Sequence, residues 1–450
     1  MGAPQRDRRS NGQGHIAVNA SAALVARIDG ELAKATFVDS HSHIDPLAPS
    51  ARSLADILGY HYYTELVHSA GTPREAIEGP GLDEESRVAR IVAGLTHLTN
   101  TIQHAWLMEI ARDLFGFEGD ALNPSNWPDL AGRVRERSAD PGWTATVLAK
   151  SHIEAVFLTN DFDDPLEGFD TSLWVPCLRV DELVFHTGKP GVLERLARTS
   201  GVEPGDIGRI GQAVAVVADR FVRSGARAAA ISLPPDFRPR PVDAAEAGRA
   251  LAAVLRDGLA APAADRAALS AHLFWTIAGI CQERHLPFDL MIGVRRAVYP
   301  GGVHQGQDLL DGRLSLADYA PLFNAFPGVK FPVSVLSRPL NHELVSFAWI
   351  FPNVLPFGHW WYANTPSTIQ SDLEQRIEAV PRTKLLGYYS DMYKAEFGYP
   401  KFAMYRRTLA RVLANRFVVE RGWGEERAVD LGLDLLVRNP RRVFYDSDPS

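Results

Sequence analysis

The chain has 450 residues, of which 46% are hydrophobic and 22% are charged, and its formal net charge is -7. That length and composition predict a large buried core and exclude a small fold held together by disulfides. Acidic and basic residues are interspersed, so no basic face is expected for nucleic acid, and no run approaches the ~20 apolar residues that cross a bilayer. A small-molecule partner is therefore expected, with no nucleic acid and no membrane.

The N-terminal residues 1–14 are polar and rich in arginine, without an apolar segment. They indicate a disordered arm rather than a signal peptide or an anchor, and residues 15–450 are expected to form one barrel domain. The two cysteines, Cys177 and Cys281, lie in apolar contexts. Buried thiols of this kind suit a reducing compartment, so the expected location is the cytoplasm.

Short apolar runs recur along the chain with helical patterns between them, which is typical of parallel β/α units. The runs are nearly continuous in hydrophobicity, as expected for strands buried on both faces. Eight such strands predict a (β/α)₈ TIM barrel: 36–40, 155–159, 173–178, 228–232, 288–293, 329–335, 354–358 and 384–390. The clearest predicted helices are 206–223, 244–256, 265–284 and 401–421.

One insertion separates the first two strands. Residues 44–152 carry helical and loop patterns without a good strand, as in the apolar face formed by Ile102, Trp106, Ile110 and Leu114. A segment of this length exceeds a simple crossover, so it predicts a helical subdomain that caps the carboxyl face of the barrel.

Two histidines one residue apart, His41 and His43, end the first predicted strand. Both imidazoles can leave the same face of the strand end and bind one cation, although neighbouring histidines also occur in polar loops. Asp391 directly ends the eighth strand, which neighbours the first in a closed barrel, so its carboxylate can face the same cation. Two imidazoles and one carboxylate suit Zn²⁺, with Mn²⁺ or Fe²⁺ as alternatives.

Polar side chains follow most of the other strands as well, at the face where barrel enzymes carry their chemistry. Each has an alternative explanation, since an aspartate after a strand is often a helix N-cap and an arginine often pairs with a surface carboxylate. The members are Asp161, Asp163, Asp164, Arg179, Asp181, Arg295, Arg296, His359, Trp360, Trp361 and Asn364.

The order of several short motifs resembles the uronate (glucuronate) isomerases, a family of the amidohydrolase superfamily built on a (β/α)₈ barrel. The resemblance extends from about Phe37 to Tyr445. Its motifs are His41-Ser42-His43, Gly59-Tyr60-His61-Tyr62, Ser69-Ala70-Gly71, Asn100-Thr101-Ile102-Gln103-His104, the stretch 159–165, Pro176-Cys177-Leu178-Arg179-Val180-Asp181, Phe357-Gly358-His359-Trp360-Trp361-Tyr362 and Gly387-Tyr388-Tyr389-Ser390-Asp391.

The resemblance implies His41, His43 and Asp391 as metal ligands and Arg179 as an arginine that binds the sugar acid. It also implies pocket positions for His61, Tyr62, Arg296 and Trp360, and by analogy a homo-oligomer. Three departures bear on the substrate. Tyr393, followed by Lys394, stands where the family carries a carboxylate-binding arginine; Met291 replaces a strand-five histidine; and Glu65 and His68 replace arginines.

The expected reaction is metal-dependent aldose–ketose isomerisation of a uronate or related sugar acid through an enediolate. Tyr62, His61 and Asp391 are candidates for moving the proton, while Arg179, Arg296, Trp360, Tyr393 and Lys394 are expected to contact substrate. The aromatic pair His61 and Tyr62 has core packing as its alternative. The alternative functions are a metal-dependent hydrolase or lyase of the same superfamily and a catalytically silent binding protein.

Overall fold

A computed structural model describes residues 20–446, and the predicted N-terminal arm, 1–14, lies outside them. The predicted (β/α)₈ barrel is confirmed. Seven of its eight positions carry regular strands close to the predicted ones, the third being divided at Pro176: Phe37–Asp39, Ile153–Phe157, Trp174–Val175 with Cys177–Arg179, Ala228–Leu233, Phe288–Ile292, Phe331–Val335 and Val354–Pro356.

Neighbouring barrel strands pair in parallel, in chain order. Val38 lies opposite Ala155 at the first pair, Leu178 opposite Ala229 at the third pair, and Ala230 opposite Asp289 at the fourth. Every residue of the fifth and sixth strands is buried, which explains their continuous hydrophobicity in the sequence.

The eighth position departs from regular strand structure. Residues 384–390 pair with the seventh strand only through the bridge between Phe357 and Leu386. Gly387 donates its backbone N–H outward to the carbonyl of Leu435, and Ser390 donates its backbone N–H to the side chain of Asp39. The hydrogen-bond ladder between strands is interrupted here because the backbone N–H groups of Gly387 and Ser390 bond to groups outside it. The backbone N–H of Asp391 then donates to the carbonyl of His41 at 3.1 Å, which joins the last position to the first.

The insertion between the first two strands contains helices and, within 44–152, no strand. Its α-helices are Leu54–Leu58, His61–Ser69, Arg74–Glu78, Glu84–Leu95, Ile102–Glu109, Trp127–Ser138 and Trp143–Lys150. Aspartate and threonine N-caps begin two of them: Asp83 accepts from the N–H of Ser86, and Thr101 from that of His104.

The remaining α-helices surround the barrel and include the four clearest predicted ones, with ends shifted by a few residues. They are Ala22–Leu32, Asp181–Phe185, Val192–Ser200, Ile207–Arg223, Ala244–Asp257, Ala263–Glu283, Ala320–Ala325, Arg338–Ile350, Pro366–Ala379, Gly398–Val412, Glu425–Leu433 and Asn439–Phe444. The last predicted helix, 401–421, divides into Gly398–Val412 and the π-helical turn Leu413–Val419. None of the helices described between residues 20 and 446 is both long and apolar enough to cross a membrane.

A short antiparallel hairpin, absent from the prediction, follows the fifth strand. It pairs Val294–Arg295 with Leu309–Leu310. The loop between them carries Arg296, Gln305 and Asp308 to the carboxyl face of the barrel, where all three line the main cavity.

Candidate metal centre and substrate cavity

The first and last barrel positions bring the predicted metal ligands together. Beyond the buried strand Phe37–Asp39, the backbone N–H of His43 donates to the carbonyl of Met392 at 2.9 Å, so the histidine segment runs beside Asp391. The Asp391 Oδ1 atom lies 3.4 Å from His43 Nε2 and 3.9 Å from His41 Nε2. The ligating atoms of the three residues all lie within 4.8 Å of one another.

Neighbouring groups fix which nitrogen of each histidine faces Asp391. The Nδ1 atom of His41 lies 3.0 Å from Asp289 Oδ2, and because a carboxylate only accepts, this nitrogen donates. The hydroxyl of Thr159 donates to the carbonyl of Ser42 at 3.0 Å and therefore accepts from His43 Nδ1 at 2.7 Å. With Nδ1 of each ring engaged in this way, both Nε2 atoms face Asp391, and in a neutral ring that nitrogen carries the lone pair that a metal ligand requires.

The free atoms of this cluster fit a divalent metal ion. Among the described residues, His41 Nε2 and Asp391 Oδ1 are buried and have no hydrogen-bond partner. Buried polar atoms without partners are costly, and a shared cation would satisfy both. Burial, together with the nearby charges of His41 and Arg179, lowers the pKa of His43 well below its usual value, so its imidazole is neutral and can bind a metal.

Asp391 has an unusual backbone conformation for a residue with a side chain. Its φ angle is +53°, in the left-handed region. Such conformations persist where surrounding contacts hold them, and they concentrate at functional sites. Burial raises the pKa of Asp391, an effect that the nearby charges of His41 and Lys401 oppose.

A cavity of about 400 Å³ opens directly over the three residues. Most of the predicted site residues line it: His41, His43, His61, Arg179, Arg296, Trp360, Asp391 and Tyr393. Its wall is completed in part by Asp181, Ser232, Met291, Gln305, Asp308 and Trp361.

No family model matches the chain. Comparisons with individual proteins and solved structures do find similar chains, among them uronate and glucuronate isomerases. A uronate isomerase of Corynebacterium efficiens is 26% identical over 419 residues, covering 85% of this chain and 86% of the relative. The solved uronate isomerase of Thermotoga maritima superposes with a TM-score of 0.86 at 18% identity, covering 95% of this chain and 98% of that one. The glucuronate isomerase of Caulobacter crescentus gives a TM-score of 0.86 at 18% identity, covering 97% and 98%.

The chain is similar to uronate isomerases over most of its length. The expected resemblance, and with it the expectation of an isomerase-type enzyme on a TIM barrel, is confirmed.

Two arginines line the cavity, each paired with an acidic residue. Arg179 Nε lies 3.2 Å from Asp181 Oδ2, and Arg296 Nη1 lies 2.6 Å from Asp308 Oδ2. Each guanidinium uses part of its fork on that partner, and its remaining donors can bind an anionic oxygen. Arg296 also donates to the Ser232 hydroxyl at 3.3 Å.

Tyr393 lies between the metal cluster and the insertion. Its ring centroid is 5.1 Å from that of His43 and 5.6 Å from that of His61, and Gln305 donates to its hydroxyl at 3.4 Å. Burial raises its pKa, so the phenol is uncharged at neutral pH. This position therefore offers the cavity a neutral hydroxyl.

Adjacent residues on the helix His61–Ser69 have different surroundings. His61 lines the cavity, and burial with the nearby charge of Lys401 lowers its pKa to about 3. Tyr62 is buried outside the cavity lining, against Tyr60 and Trp106, and its pKa is raised well above 10 by burial.

Lys394 also lies away from the cavity. Its Nζ donates to the carbonyl of Ala48 at 2.7 Å, in the segment that leads into the insertion. The side chains of Tyr62 and Lys394 therefore lie outside the cavity lining. The catalytic role predicted for Tyr62 and the substrate contact predicted for Lys394 have no direct route to this cavity.

Asp289, which orients His41, was not among the predicted site residues. It lies inside the apolar fifth strand and is only 2% exposed. Burying an unpaired charge is costly, so a carboxylate in such a strand must have a partner. The aspartate within an otherwise apolar run was therefore the sequence signal that could have identified Asp289.

Proposed function

We propose that this chain interconverts the aldose and ketose forms of a uronate, such as glucuronate or galacturonate, or of a related sugar acid. One divalent ion held by His41, His43 and Asp391 would serve the reaction. The observation that carries the proposal is the convergence of two Nε2 atoms and one carboxylate oxygen beneath a cavity that also contains two arginines. The names of the relatives supply the substrate class.

The reaction requires a proton to move between C2 and C1 of an open-chain sugar while negative charge develops on oxygen. A bound divalent ion supplies Lewis acidity that stabilises this charge. Arg179 and Arg296 would orient the substrate's anionic oxygens from one wall of the cavity, since each retains donors after binding its aspartate. Trp360 would contribute an apolar wall against the C–H groups of the open-chain sugar.

We infer His61 as the first candidate for moving the proton. It lines the cavity, and its Nδ1 atom is buried without a hydrogen-bond partner within the described part of the chain. With a pKa of about 3 it is uncharged at neutral pH and a weak base, and an anionic substrate beside it would raise that pKa. Asp391, which lines the same cavity, is the second candidate if its carboxylate leaves the metal when substrate binds. Tyr62, the third candidate, keeps its proton at neutral pH, and its side chain lies outside the cavity lining.

Zinc is the metal that we propose, with manganese and iron as alternatives. Two imidazole nitrogens and one carboxylate oxygen form a three-ligand set of the kind that leaves open positions for substrate. The two free, buried cysteines fit a reducing compartment, which supports the cytoplasm as the location. The homo-oligomer implied by the resemblance stays a prediction.

The function is tested by incubating the metal-loaded protein with glucuronate and galacturonate in deuterium oxide. We expect ketose formation and deuterium at C2 of recovered substrate. His43→Gln should abolish both, whereas His97→Gln, at an exposed histidine of the insertion, should leave both unchanged. Metal-loaded protein that neither forms ketose nor exchanges deuterium would contradict the proposal, and release of carbon dioxide from the uronate would favour the lyase alternative.

A further inference from the structure

Lys401 is a buried lysine that lies behind the metal cluster. It belongs to the helix Gly398–Val412 and is 0% exposed. Its Nζ donates to the hydroxyl of Tyr60 and to the backbone carbonyl of Ser390, both at 2.7 Å. A fully buried ammonium is costly unless its donors are used, so these two bonds indicate a specific role at this position.

Three aromatic rings from the insertion surround the same ammonium. The Nζ atom lies 4.9 Å from the ring centroid of Tyr60, 5.4 Å from that of Tyr62 and 5.2 Å from that of Trp106. A cation attracted to aromatic faces is stabilised most when it is desolvated. Lys401 therefore ties the insertion to the end of the barrel's eighth position.

The Tyr60 hydroxyl extends this link to Asp391. It accepts from Lys401 and donates to the backbone carbonyl of Asp391 at 2.9 Å. The carbonyls of Ser390 and Asp391 are thus held by one connected pair of side chains. Asp391 adopts its φ of +53° in this segment.

We propose that Lys401 and Tyr60 are positioning residues that hold Asp391 in its left-handed conformation, so that its carboxylate stays within bonding reach of a metal shared with His41 and His43. A left-handed residue with a side chain needs surrounding contacts to persist. Here the contacts come from the barrel helix and from the capping insertion together. The inference rests on the metal site of the proposed function, and it assigns the insertion a part in building that site.

The test compares Lys401→Met and Tyr60→Phe with a matched control, Lys384→Met. Lys384 also donates to two backbone carbonyls, those of Ala348 and Phe351, but at the other end of the eighth position. For each protein we would measure Co²⁺ affinity by chelator competition, the visible spectrum of the Co²⁺-loaded protein, and the free energy of unfolding without metal.

Loss of groups that orient metal ligands commonly weakens metal binding by about tenfold to a hundredfold. We expect a loss in that range for Lys401→Met, a loss of about tenfold for Tyr60→Phe, and an altered cobalt spectrum in both. Lys384→Met should lose stability yet keep wild-type affinity and spectrum. Tyr60→Phe removes a single oxygen, so it carries the test if Lys401→Met does not fold.

The outcomes separate this inference from the proposed function. If Tyr60→Phe and every folded lysine variant bind Co²⁺ as tightly as wild type with the same spectrum, the positioning role is overturned and the metal site stands. If all the variants, including the control, lose affinity in proportion to stability, the role is general folding and the inference is overturned. A wild-type protein that binds no divalent ion would overturn the metal site and this role together.

Discussion

The contact between Asp289 and His41 gives the sharpest prediction for the metal site. In Asp289→Asn, the amide oxygen can still accept from His41 Nδ1, so the tautomer is kept while the negative charge is lost. The wild-type contact is 3.0 Å long and both side chains are buried, so solvent screens it little. We expect Zn²⁺ affinity to fall by about tenfold to a hundredfold, or about 1.4 to 2.7 kcal/mol.

The assay is competition with a chromophoric chelator, and Asp372→Asn is the matched control. Asp372 is also buried and lies 3.6 Å from a histidine nitrogen, His359 Nδ1, but outside the cavity lining. The control should change stability without changing metal affinity. The reasoning is refuted if Asp289→Asn binds zinc like the wild type, or if both variants lose affinity equally.

Three further predictions concern the cavity and its surroundings. His61→Gln should lower kcat by about a hundredfold to ten-thousandfold while metal content stays unchanged, and a rate near wild type would exclude His61 as the proton-moving group. Tyr393→Arg should lower KM for uronates by roughly tenfold, since a charge-assisted bond to a carboxylate is added; loss of an existing uronate activity would contradict this account of Tyr393. Burial lowers the pKa of Lys401 from 10.5 to about 8, with the carboxylates of Asp391 and Asp39 opposing that shift. As pH rises, the folded state therefore releases this proton before the unfolded state does. The free energy of unfolding of wild type, relative to that of Lys401→Met, should rise by about 3 kcal/mol between pH 8 and 10.5. Urea unfolding at a series of pH values tests this, and parallel stability curves for the two proteins would contradict it.

The convergence of His41, His43 and Asp391 was predictable because these residues lie at strand ends that the sequence itself marks. His41 and His43 directly follow an apolar run, and Asp391 directly follows the last such run. Eight parallel units imply closure, and closure makes the first and last positions neighbours. Counting the strands was therefore almost sufficient to predict that these three residues lie close together.

The residues that sequence patterns missed depend on geometry across the barrel or on irregular loops. Asp289 contacts His41 only because the first and fifth strands face each other across the interior. Gln305 and Asp308 reach the cavity from a hairpin loop that has no clear periodicity.

Side-chain direction limited two other predictions. His61 and Tyr62 are adjacent on a helix, where neighbours differ by about 100° in direction, so one lines the cavity and the other packs inside the insertion. Lys394 lies three residues after Asp391, just before the short 3-10 helix Ala395–Phe397. Its side chain donates to the carbonyl of Ala48 and not into the cavity.

Anomalous scattering at the zinc absorption edge, from crystals of the zinc-loaded protein, tests the central claim most directly. The account predicts one peak about 2.0 to 2.2 Å from His41 Nε2, His43 Nε2 and an oxygen of Asp391. A peak held by other residues, or an active crystal with no metal at these three side chains, would contradict it.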